Sequence, residues 1–150
     1  MDLSQIVSTV IAQAERIASY VSFGTEPGVP PQPGWLLPVL LPDGDLDWTA
    51  YDGRIVGGRP PEPVGDRLGV AAIASCDLVL VPALLVDRRG VRLGKGGGSY
   101  DRALARATGL TVALLHDGEL VERLPAEPHD VPVDAVATPS GGLVRLSGKM

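Results

Sequence analysis

Two short runs of almost unbroken apolar residues, Asp77 to Pro82 and Leu110 to Leu115, dominate the hydrophobic pattern of the chain. Neither alternates with polar residues, so each predicts a strand buried on both faces, as in a parallel sheet. Upstream, Ile6, Val10, Ile11, Ala14, Ile17 and Ala18 recur at helical spacing and predict a helix over Leu3 to Ala18, with Asp2 or Ser4 as its cap. Tyr20 to Phe23 reads as a short strand, and the prolines between Gly28 and Gly34 forbid a helix there. Trp35 to Leu41 predicts a strand whose Pro38 makes it irregular or places it at an edge. The turn Pro42-Asp43-Gly44-Asp45 follows, and then Leu46, Trp48 and Ala50 alternate as a half-exposed strand would. Residues Asp52 to Gly69 and Glu127 to Asp134 read as loops. Short helices are expected over Val70 to Ala74 and Tyr100 to Thr108, the second closed by Gly109 at a C-cap. A last strand is expected at Ala135 to Thr138, and residues 141–150 read as a frayed tail. Strands alternating with helices and glycine loops predict one α/β domain over residues 1–150, an open, largely parallel sheet flanked by helices.

Composition narrows the function. The 150 residues are enough for one core, and with only 4% aromatic residues that core must be aliphatic. A formal net charge of −5 argues against nonspecific nucleic-acid binding, which needs an excess of Lys and Arg. Cys76 stands alone, which excludes an internal disulfide and a cysteine-based zinc site. The pattern holds neither a membrane-spanning run nor a signal peptide, so a cytoplasmic protein is expected; a monomer is expected as well.

The chemistry concentrates between Arg92 and Arg102. Gly94, Gly96, Gly97 and Gly98 allow positive φ and a close approach of backbone to ligand. Consecutive N–H groups in such a loop can cradle an anion, and the helix that follows adds its free N–H donors. Arg92, Lys95 and Arg102 bring positive charge to an acidic chain. On spacing alone the loop reads as a phosphate cradle or, equally, as a solvated surface turn. No Gly-Lys-Ser/Thr closes it as a P-loop would, and the acidic ribose partner of a dinucleotide fingerprint is missing.

The order of features says more than the spacing. An apolar strand ending in Val81-Pro82 is followed by Asp87, Gly90, Arg92-Leu93-Gly94, the glycine cluster and Tyr100-Asp101-Arg102, then Leu124-Pro125, His129-Asp130-Val131-Pro132-Val133-Asp134 and Thr138. This succession resembles the 5-formyltetrahydrofolate cyclo-ligases, also called methenyltetrahydrofolate synthetases. Ser22 to Pro27 and Pro61-Glu62-Pro63 extend the resemblance upstream, so that it covers most of residues 15–139.

The resemblance implies an enzyme that uses ATP and Mg²⁺ to close 5-formyltetrahydrofolate to 5,10-methenyltetrahydrofolate. It assigns ATP to Arg92, Leu93, Gly94, Lys95, Gly96, Gly97, Gly98, Ser99 and Tyr100, with Arg92 and Lys95 as the catalytic cations. Asp101 and Asp130 are expected to hold Mg²⁺. Val21, Glu26 and Ser99 are expected at the folate, with the Glu26 carboxylate facing the pterin. His129 is expected to order its loop. Three departures from the family pattern stand out: Ser99 replaces the first of two tandem tyrosines, a proline run replaces the helix after Glu26, and the basic N-terminal segment has no counterpart before Glu26. These departures imply turnover below that of a full-length member. The alternative is a non-catalytic homologue that binds nucleotide or folate.

Overall fold

The computed structural model describes residues 1–58 and 60–146. A short helix, α1 (Ser8–Gln13), leads into strand β1 (Ile17–Ala18) and the hairpin β2 (Leu36–Leu40) and β3 (Leu46–Ala50). A small ribbon, β4 (Ile55–Val56) and β5 (Glu62–Pro63), and a 3-10 helix (Val70–Ser75) precede β6 (Leu78–Pro82). Next come β7 (Leu85–Asp87), β8 (Arg92–Leu93), α2 (Ser99–Arg106), β9 (Leu110–Leu114), β10 (Leu120–Val121), β11 (Ala135–Thr138) and β12 (Gly142–Arg145).

Seven strands form the main sheet in the order β12-β11-β9-β6-β1-β2-β3. Its neighbours run parallel from β11 to β2, and only the outer pairs β11–β12 and β2–β3 are antiparallel. The expected α/β architecture, with Asp77–Pro82 and Leu110–Leu115 at the centre of a largely parallel sheet, is therefore present. Alternation along the strands feeds two cores. Leu78 and Leu80 of β6, Val112 and Leu114 of β9 and Ala137 of β11 pack with Val7 beside α1. Val79, Val81, Ala113 and Val136 pack on the other face with Ala103 and Leu104 of α2 and Ile73 of the 3-10 helix. Helices on both faces explain why β6 and β9 carry no polar stripe. No helix among the described residues is long and apolar enough to cross a membrane.

Several local expectations give way to tertiary contacts. The helix predicted over Leu3 to Ala18 is confined to Ser8–Gln13, and Ile17–Ala18 is a strand instead. The Asp77 carboxylate explains the switch, accepting the amides of Glu15 and Arg16 at 2.9 and 2.7 Å and taking them out of the helical ladder. The strand predicted at Tyr20 to Phe23 is absent; Phe23 to Glu26 is a turn, closed by Glu26 N–H on the Phe23 carbonyl at 3.0 Å. The Asp52 to Gly69 loop contains the β4–β5 ribbon. Residues 142–145 of the expected frayed tail pair with β11 as an edge strand, and residues 147–150 lie outside the described residues.

Pro38 sits within β2 opposite Trp48, and β3, not β2, is the edge of the sheet. The Leu36 carbonyl faces β1 and accepts the Ser19 amide at 2.9 Å. Two residues on, Pro38 turns its nitrogen to the same side with no hydrogen to donate, and the β1–β2 ladder stops.

Gly109 is also reassigned. Helix α2 ends at Arg106 with Ala107 as an extended C-cap, so Gly109 is not the cap. It instead lets β9 begin against β6: a Cβ there would lie 2.4 Å from the Cys76 carbonyl oxygen and 2.5 Å from the Asp77 carbonyl carbon. Backbone atoms cannot rotate away from such a contact. Gly109→Ala is expected to destabilise the fold by about 1–3 kcal/mol, read as a lower urea midpoint at unchanged slope. A variant as stable as the parent would contradict this close approach of β6 and β9.

Candidate active site

The main cleft opens at the carboxyl end of β6, where parallel α/β sheets place their ligands, and encloses about 1090 Å³. Val21 and Glu26 reach it from the segment after β1, Arg92 to Asp101 from β8 and the start of α2, and Asp130 from the loop before β11. Every site residue expected from the sequence therefore lines one cavity, although more than a hundred positions separate Val21 from Asp130.

The glycine loop has the backbone its composition implies. Gly96, Gly97 and Gly98 have φ values of +99°, +84° and +72°, and a Cβ at any of them would meet open space. The loop is thus shaped by backbone conformation and not by crowding from the protein. Gly98 is the N-cap of α2, so the first amides of that helix point out without intrahelical acceptors. Gly94 serves differently: a Cβ there would lie 2.8 Å from the Arg92 guanidinium, which folds back over it.

Arg92 is held from two sides. Its Nη1 donates to the Pro82 carbonyl at 3.0 Å, and its guanidinium lies 5.4 Å from the centre of the Tyr100 ring, a cation–π distance. Burial lowers its pKa while the charge of Asp101 opposes that shift. Arg92 Nε and the Tyr100 hydroxyl are buried and without a hydrogen-bond partner among the described residues. Burial also pushes the Tyr100 phenol well above its usual range, keeping it protonated as a donor. Arg102, expected to add charge to the loop, turns away and donates to the Asp43 carbonyl.

Opposite the loop, Glu26 accepts the Phe23 amide on Oε1 and Lys95 Nζ on Oε2, each at 3.1 Å. Behind it the Tyr20 hydroxyl donates to the Pro27 carbonyl. At the far end, one ligand atom each from Asp101, His129 and Asp130 lie within 4.8 Å of one another. Asp130 also accepts the Glu127 amide at 2.8 Å, and His129 Nδ1 lies 3.5 Å from Glu127, so both help to order this loop. His129 was not among the metal residues expected from the sequence; its adjacency to Asp130 was the available signal. Phe23 and Pro125, from the motifs read in the sequence, are joined by Leu40, Pro60 and Leu84, which no sequence motif marked, to give the cleft an apolar lining.

A sequence model of the 5-formyltetrahydrofolate cyclo-ligase family matches residues 2–139. The chain belongs to that family. The 5-formyltetrahydrofolate cyclo-ligase of Mycolicibacterium smegmatis is 41% identical over 151 residues, covering 87% of this chain and 76% of the relative. That of Escherichia coli K12 is 35% identical over 147 residues, covering 87% and 81%. Among solved structures, the 5,10-methenyltetrahydrofolate synthetase of Aquifex aeolicus superposes with a TM-score of 0.73 at 25% identity, covering 96% of this chain and 80% of that one. The Mycoplasma pneumoniae synthetase shares the fold, with a TM-score of 0.66 at 19% identity over 89% and 82% of the two chains.

In this cyclo-ligase-family chain, α2 is anchored from its back. Arg106 forms a two-pronged ion pair with Asp45, both N···O distances being 2.7 Å, and so ties the last turn of the helix to the β2–β3 turn. The Arg106 hydrogen bond is the main reason that the Asp45 pKa falls from 3.8 to about 2. A depressed carboxylate stabilises the fold above the unfolded pKa and ceases to do so as pH falls through the folded one. Asp45 is therefore expected to contribute about 2 kcal/mol at neutral pH, lost between about pH 4 and pH 2. Urea denaturation of Asp45→Asn alongside the parent should show a stability gap at pH 7 that closes across this window. A gap independent of pH would contradict the role of the ion pair.

Proposed function

We propose that this protein uses ATP and Mg²⁺ to close 5-formyltetrahydrofolate to 5,10-methenyltetrahydrofolate. The observation that carries this reading is the meeting in one cleft of a left-handed glycine loop, a half-buried arginine whose Nε is buried and unpaired among the described residues and, across from them, the Glu26 carboxylate. At about 1090 Å³ the cleft sits at the upper end of volumes usual for one small ligand, as suits a site for two substrates.

ATP supplies the phosphoryl group that makes the formyl oxygen a leaving phosphate, and Mg²⁺ supplies charge neutralisation. N10 then attacks the activated carbon and gives up its proton to solvent, and phosphate departs with the former formyl oxygen. The protein's part is positioning and electrostatics. The amides of Gly96 to Ser99 and the start of α2 receive phosphate oxygens. Arg92, fixed by Pro82 and Tyr100, brings its charge to the same cleft, and Lys95 adds a point charge. Asp101 and Asp130 offer the hard carboxylate oxygens that Mg²⁺ prefers, so the donor set fits that ion. Glu26 accepts N–H bonds from the pterin, while Val21 and Ser99 border the folate.

Purified protein given 5-formyltetrahydrofolate should develop the near-ultraviolet absorbance of the methenyl product only when both ATP and Mg²⁺ are present. Absence of product at every protein concentration, with ligand binding intact, would favour a non-catalytic binder. Gly97→Val should leave the fold intact, because no heavy atom of the described residues beyond its chain neighbours lies within 4 Å of the new Cβ. A β-branched residue strains the +84° backbone and projects into the loop. Calorimetry should show ATP·Mg²⁺ affinity reduced more than about tenfold, the equivalent of about 1.4 kcal/mol. Unchanged affinity in the folded variant would remove the loop from the phosphate site.

A further inference from the structure

The two walls of the cleft are joined by one ion pair. Lys95 Nζ donates to Glu26 Oε2 at 3.1 Å, linking residues 69 positions apart. Glu26 Oε1 is engaged by the Phe23 amide, so both carboxylate oxygens already have partners. A ligand that offers paired N–H donors to Glu26 competes with these partners for the carboxylate. The Phe23 contact belongs to a tight turn closed again by Glu26 N–H on the Phe23 carbonyl. Lys95 is the partner free to leave. Its side chain is 71% exposed, against 21% for Glu26, and it is followed by three glycines of positive φ. Arg92, by contrast, is pinned by the Pro82 carbonyl and the Tyr100 ring.

Resting on the proposed cyclo-ligase activity, we infer that the Glu26–Lys95 pair couples the two subsites, so that a nucleotide and a pterin-bearing substrate each strengthen binding of the other. Phosphate oxygens draw Lys95 from Glu26 and leave the carboxylate open to the pterin. A pterin on Glu26 likewise releases Lys95 to the phosphates. Whichever ligand binds first breaks the pair, and the second is spared that cost. Linkage makes the gain the same in both directions. An exposed pair supports a coupling of about two- to fivefold, and salt should weaken it.

A double-mutant cycle read by calorimetry tests this. A non-hydrolysable analogue, standing in for ATP·Mg²⁺ so that no turnover occurs, is titrated with Mg²⁺ into the parent, Glu26→Gln, Lys95→Met and the double variant, with and without saturating 5-formyltetrahydrofolate. Glu26→Gln should tighten the analogue by about two- to fivefold, although Glu26 is assigned to the other substrate. The same change in the Lys95→Met background should have no effect. 5-Formyltetrahydrofolate should tighten the analogue on the parent by a similar factor and lose that effect on Lys95→Met. Equal tightening by Glu26→Gln in both backgrounds would reveal a general charge effect and overturn the coupling, as would unchanged affinity in Glu26→Gln. In either case the proposed activity would stand. Absence of analogue binding in all four proteins would overturn the nucleotide reading and the coupling together.

Discussion

A central strand with no solvent face decides where chemistry can be built. Leu78 and Leu80 of β6 belong to one core, Val79 and Val81 to the other, and none is more than 1% exposed. The strand cannot itself carry ligand-binding side chains, so they must come from segments beyond its carboxyl end. The Pro82 carbonyl ends the strand and holds Arg92. Between them the chain makes the β7–β8 hairpin, locked by Asp87. This fully buried carboxylate accepts the amides of Arg89, Val91 and Leu124 as well as the Arg89 guanidinium. Burial alone would raise its pKa, but these bonds outweigh burial and hold it down. A charge so well satisfied is rigid, and through it the position of Arg92 is set by the sheet rather than by a flexible loop.

The cations near the loop divide by what restrains them. Arg102 and Arg106 lie on α2 but face the β2–β3 turn, through the Asp43 carbonyl and the Asp45 carboxylate. They orient the helix and with it the amides of its first turn. Arg92 is fixed and partly desolvated, which strengthens its field on a bound anion. Lys95 alone of these four is paired with a carboxylate across the cleft, and its side chain is exposed. An acidic chain can therefore hold a local anion site, because net charge says little about where individual charges are anchored.

How legible each part was in the sequence depends on the range of the interaction behind it. The doubly buried strands could be read because burial on two faces writes itself into consecutive residues. The glycine loop could be read because positive φ has a direct residue preference, and the order of motifs carried the family. Helix α1 was overextended because its end depends on Asp77, some sixty positions away. Gly109 looked like a cap because its true neighbours, Cys76 and Asp77, are distant in sequence. Arg102 counted as a loop cation until its partner in the β2–β3 turn was visible. The contact between Glu26 and Lys95 left no mark at all, since each residue has a sufficient local reason to be there.

Pro38 shows how a local defect becomes a functional feature. Read along the chain, it is a flaw in an apolar strand. Within the sheet, its missing N–H falls where Ser19 would otherwise continue the ladder, and the β1–β2 pairing ends after a single register pair, Ala18 with Leu36. Beyond that point β2 keeps pairing with β3, while the chain from Tyr20 to Glu26 separates from it. Pro38, Leu40 and Leu46 on one side and Tyr20, Val21 and Glu26 on the other then line the same cavity. A residue with an N–H at position 38 would favour one more rung and draw Tyr20 and Val21 towards β2. The apolar floor of the cleft thus depends on a hydrogen bond that proline is unable to make.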